Sequence, residues 1–98
     1  MKLEELKTYR DDILKIASQY HAPNIRVFGS VARGEATTDS DVDFLIDVPP
    51  EQTIFDLIRL TRSLTELLGC EVDVAQSTVL HPRIREKVLH DAIPLKYI

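Results

Sequence analysis

Ninety-eight residues, 44 % of them apolar and 29 % charged, suffice for one compact unit spanning 1–98 and carry too much apolar character for a disordered chain. The longest uninterrupted apolar run is Phe44-Leu45-Ile46, far short of the ~20 residues of a membrane span, and Glu4 and Glu5 fall where a secretory leader needs a basic start and an apolar stretch. Twelve Lys and Arg against sixteen Asp and Glu leave a net charge of -4, no overall attraction to a nucleic-acid backbone; the lone Cys70 excludes an internal disulfide and fits a reducing, cytoplasmic setting.

In chain order, Leu3, Leu6, Tyr9, Ile13, Ile16/Ala17 and Tyr20 recur every three or four residues, predicting one amphipathic helix over Lys2–Tyr20. His-Ala-Pro-Asn at 21–24 breaks it, and Ile25-Arg26-Val27-Phe28 reads as a short strand stopped by Gly29. Ser30 is placed to cap a helical turn, Val31-Ala32-Arg33, that Gly34 ends. After a polar loop, Glu35 to Ser40, the residues Val42, Phe44, Ile46 and Val48 alternate with Asp41, Asp43, Leu45 and Asp47 in a second strand closed by Pro49-Pro50. Ile54, Leu57/Ile58, Thr61, Leu64 and Leu67/Leu68 mark the inward face of a helix running from a Thr53 cap to Gly69. Cys70 to Ala75 is a third strand, with Cys70 expected as a small buried hydrophobe. Pro82 opens a last helix to about Asp91, with Ile84, Val88 and Ala92 inward, and Pro94 begins an extended tail. This order predicts a small α/β (α+β) domain: one mixed sheet, helices mainly on one face, strand order open.

The surplus acid lies in the middle of the chain, where residues 25–50 and 51–75 each carry two basic and five acidic side chains. Such a surplus is either a solvated face or a hard-cation site. Asp41 and Asp43, two apart on a strand, project to the same side and repel unless a cation, a proton or a basic partner intervenes. With nine Asp in 98 residues, a D-x-D pair arises about 0.8 times by random placement, but Gly-Ser followed by D-x-D with ten residues between arises about 0.001 times. Gly29 allows a sharp turn and close approach to a ligand, and Ser30 beside a helical N-terminus offers a hydroxyl and N–H groups to an anion. Asp73, between Val72 and Val74, can meet Asp41 and Asp43 if the third strand lies beside the second, giving three carboxylates able to hold two Mg²⁺ ions. Glu71 shares its face but sits near the strand's edge, where solvation is the expected state.

Gly29-Ser30-Val31-Ala32-Arg33-Gly34, Ser40-Asp41-Val42-Asp43 and Val72-Asp73-Val74 together resemble the nucleotidyltransferase superfamily related to DNA polymerase β. More narrowly, the chain resembles the minimal nucleotidyltransferase (MNT) antitoxins paired with HEPN-family ribonuclease toxins. The resemblance implies a polymerase β-like core, ATP as donor, and transfer of AMP to a tyrosine of the toxin in a hetero-oligomeric pair. It also implies that Asp41, Asp43 and Asp73 ligate Mg²⁺, that Gly29 and Ser30 hold the β- and γ-phosphates, and that Asp73 helps remove the acceptor's proton. Arg33 fits either a phosphate contact or a structural ion pair.

His21, His81 and His90 lack ligand spacing and are expected at the surface or as caps. Arg83, Arg85 and Lys87 on the last helix suit a solvated face or an acidic partner. Three rival functions use the same residues differently: an antitoxin that only covers its partner, a nucleotidyltransferase acting on a small molecule, and, more remotely, a Mg²⁺ nuclease.

Overall fold

The computed structural model describes residues 1–98. The N-terminal amphipathic stretch is two helices, α1 (Leu3–Thr8) and α2 (Arg10–Gln19), which corrects the single helix expected over Lys2–Tyr20. The break falls at Tyr9, whose N–H donates three residues back to the Leu6 carbonyl at 3.0 Å, while the Thr8 hydroxyl donates to the Glu5 carbonyl at 2.6 Å. The three-residue bond tightens the turn, and Leu6 and Ile13 on either side of the break are both fully buried.

There follow β1 (Arg26–Phe28), the one-turn α3 (Gly29–Ala32), β2 (Val42–Ile46), α4 (Ile54–Leu68), β3 (Val72–Gln76), α5 (Pro82–Asp91) and β4 (Ile93–Pro94). Short 3₁₀ turns occupy Ser77–Val79 and Leu95–Tyr97. The sheet order is β3-β2-β1-β4. β1 pairs antiparallel with both β2 and β4, whereas β2 and β3 are parallel and joined through α4, the long connection that a parallel pair requires. The extended tail at Pro94 thus becomes a fourth strand at an edge, a position where the missing proline N–H is tolerated.

Val27 on β1 and Val42, Phe44 and Ile46 on β2 meet Leu6, Ile13 and Ala17 from the first two helices and Leu60, Leu64 and Leu68 from α4. Both ends of α4 are set locally. The Thr53 hydroxyl accepts the Asp56 N–H at 3.2 Å and the Asp56 carboxylate accepts the Thr53 N–H at 3.0 Å, while Gly69 closes the helix at φ +68°. Its inward face matches the expected one at Leu64 and Leu68, which are buried, but Leu60 joins them, whereas Ile54 and Ile58, expected inward, are 65 % and 57 % exposed, and Phe55 is 63 % exposed. At 3.6 residues per turn Ile58 lies about 120° round from Leu64, off the stripe that the sheet covers.

α5 starts at Pro82 as expected but buries none of its residues fully, and Ile84, expected inward, is 49 % exposed. The helix packs against α3 and β1. Only Val88 and Asp91, toward its C-terminal end, are partly buried, so its first turns lie outside the core. Cys70, expected to be buried, is half-buried against the core edge. No helix is long and apolar enough to cross a membrane.

Candidate active site

The register of the sheet assembles the site. Phe28 pairs with Asp43 across the antiparallel β1–β2 ladder, and Asp43 pairs with Asp73 across the parallel β2–β3 ladder. Paired residues point to the same face, so two carboxylates from stretches thirty residues apart in sequence stand side by side. Asp41, exposed, immediately precedes β2, two residues from Asp43. The loop leading into it is held by the Met1 ammonium, which donates to the carbonyls of Thr37, Thr38 and Ser40 at 3.1, 3.2 and 3.1 Å. Glu71, also exposed, lies just before β3 and contributes its carbonyl to the Val42 N–H at 3.0 Å.

Gly29 follows β1 directly, at φ +73°. A Cβ built there would overlap Asp43 Oδ2 and stand 3.3 Å from Asp43 Cγ. Glycine is therefore demanded by the left-handed backbone and again by the carboxylate packed against it. The expected Ser30 cap is corrected: Phe28 occupies the cap position, Gly29 and Ser30 already belong to α3, and no side-chain cap bond is made. The helix begins two residues earlier because Gly29 itself makes the bend out of β1.

Burial pushes the Asp43 carboxyl above the ordinary carboxylate range, the charges of Asp73 and then Asp41 push it further, and Arg33 only partly opposes them. Asp47 has the opposite surroundings. Burial raises it, but hydrogen bonds from Asn24 (3.1 Å), Ser77 (2.8 Å) and Arg26 (2.7 Å) outweigh burial and hold it below the ordinary range. Asp47 is thus a structural anchor, whereas Asp43 carries charge that its neighbours do not neutralise.

Arg33 is ion-paired in this structure, to Glu35 at 3.1 Å and to Asp91 of α5 at 3.5 Å. His81 caps α5 by accepting the Arg83 N–H at 3.1 Å, and His21 Nδ1 lies 3.3 Å from Asp56 Oδ2. Burial raises the Cys70 thiol, which fits packing rather than reactivity.

Asp41, Asp43 and Asp73 do not close into a ready three-ligand cage. Their chemistry nonetheless suits a hard divalent cation: the donors are all carboxylate oxygens, and one of them, half-buried without a neutralising partner, is seated where the glycine has no Cβ. Sequence reasoning did not foresee the Arg33–Asp91 link or the three partners of Asp47. Both depend on contacts between distant segments; the only available signal was Asp47 continuing the alternation of Asp41 and Asp43.

Residues 3–95 match the nucleotidyltransferase domain family. Protein adenylyltransferase MntA of Thermococcus cleftensis is 34 % identical over 94 residues, covering 95 % of each chain. A solved structure described as a candidate minimal nucleotidyltransferase is 46 % identical, with a TM-score of 0.85 and 96 % of each chain covered. A toxin-antitoxin structure with AMP-PNP shares the fold at 20 % identity and a TM-score of 0.72, over 88 % of this chain and 71 % of that one.

Proposed function

This chain belongs to the nucleotidyltransferase domain family, and from that premise we propose that it is an antitoxin transferring AMP from ATP to a tyrosine hydroxyl of a HEPN ribonuclease toxin, which silences the toxin. The observation that carries this reading is the pairing of Asp43 with Asp73 across parallel strands, with Asp41 beside them and Gly29 against the Asp43 carboxylate. The MntA relative is itself named a protein adenylyltransferase.

In the proposed reaction the acceptor oxygen attacks the α-phosphorus of ATP, the bond from that phosphorus to the β-bridging oxygen breaks, and pyrophosphate departs in line with the new bond. Asp73 receives the acceptor's proton, and its place on the outer strand leaves it open to an incoming hydroxyl. Gly29 and Ser30 hold the β- and γ-phosphates at the start of α3, where backbone N–H groups face the anion. Asp41, Asp43 and Asp73 would hold Mg²⁺, which supplies positive charge to offset that on the phosphates. Arg33 stays in its ion pairs and supports the turn from the side.

Asp41→Asn with Asp43→Asn tests the reading. The double variant, assayed with the toxin, is expected to bind it and fail to neutralise it, with the AMP mass increment absent from the toxin. Neutralisation surviving undiminished contradicts catalysis and establishes sequestration instead.

A further inference from the structure

The outer edge of β3 is unpaired, since β3 ends the sheet and β2 occupies its inner side. Beside that edge runs a shallow groove lined by Leu57, Ile58, Thr61 and Arg62 of α4 and by Asp73 and Val74 of β3. On the same helix Ile54, Phe55 and Ile58 are exposed apolar side chains that the core does not use, and Ile58 itself lines the groove. Asp73 lines the groove and is also the register partner of Asp43 across the β2–β3 ladder, so the groove reaches the carboxylates.

We propose that the protein acceptor docks here, as an extended segment added beside β3 as a fifth strand; the inference rests on the reading that the acceptor is a protein. Successive side chains of a strand point to opposite faces. A segment paired with β3 therefore sets its hydroxyl-bearing residue on the Asp73 face and the residue next to it on the α4 face, against Leu57 and Ile58. The recognised sequence is a hydroxyl residue flanked by an apolar or aromatic one. Arg62 is exposed at the groove's lip and only 3.9 Å from Glu66 in a loose surface pair, so it suits a carboxylate in the same segment. Main-chain bonds to the free edge provide affinity, and the alternating side chains provide selectivity. The other exposed candidate, α5 with Ile84, Leu89 and its basic residues, does not include any of the three carboxylates.

Hydrogen exchange of the full chain, alone and bound to the HEPN toxin, tests this. The expected result is slowed exchange at those β3 amides that do not bond to β2, together with residues 54–62. Protection confined to α5, or absence of any complex, overturns the proposal. Ile58→Asp, at an exposed position and verified as folded by circular dichroism, is expected to weaken toxin binding about tenfold, or 1.4 kcal/mol; unchanged binding overturns it. Should β3 become protected and Ile58→Asp weaken binding while the toxin never gains AMP, the docking edge stands and the transfer reaction falls.

Discussion

Asp43 and Asp47 lie four residues apart, continue one alternation, and are held in opposite electrostatic states. Asp43 is raised by burial and by two neighbouring acids, so its ionised form costs the folded state stability at every pH above its raised value, and the cost fades below the ordinary carboxylate range. Asp47 is lowered despite burial, so its contribution is favourable above the ordinary range and is lost as the pH falls through its depressed value. At neutral pH without divalent ions, Asp43→Asn is expected to raise the thermal midpoint by about 2–5 °C. Asp47→Asn is expected to cost about 1–3 kcal/mol, because it weakens the pairing of the mostly buried Arg26, whose Nε already lacks a partner. Thermal melts at pH 7 and pH 4 check both signs; destabilisation by Asp43→Asn contradicts the account. Alternation along the sequence was enough to align Asp41, Asp43 and Asp47, but it could not separate them. That separation is made by Asn24, Arg26 and Ser77, which come from 21 to 30 residues away.

At the level of elements, what was legible is what local chemistry decides. Thr53, Asp56 and Gly69 carry the ends of α4 within a few residues of themselves, and Pro82 does the same for the start of α5. Which face turns inward depends on what lies opposite, and there the periodicity misled: Ile58 and Ile84 are apolar at helical spacing yet exposed. Leu64→Ala is therefore expected to destabilise by about 2–5 kcal/mol, and Ile84→Ala by no more than about 0.5 kcal/mol. Urea titration of the two variants decides the point, and comparable losses would contradict the placement of α5. Tyr9 interrupts a pattern that continues smoothly through it because Leu6 and Ile13 enter the same core from two helices, a tertiary demand that repeat spacing does not register.

The whole molecule adds what no single element contains, the order and register of the strands. Three short motifs at 29–34, 40–43 and 72–74 pointed to a shared site, but only the parallel β2–β3 pairing puts Asp73 beside Asp43, and only the β1–β2 register sets Gly29 against it. The sheet is also mixed, with its one parallel pair carrying the acids and leaving β3 as a free edge. On the proposed function, the three carboxylates bind nucleotide together with metal as a unit. Calorimetric titration with AMP-PNP, in magnesium and then in EDTA, measures this most directly on the wild-type chain and on Asp43→Asn and Asp73→Asn. The account predicts binding that requires magnesium and is lost in both variants; binding that persists in EDTA, or in both variants unchanged, would contradict it.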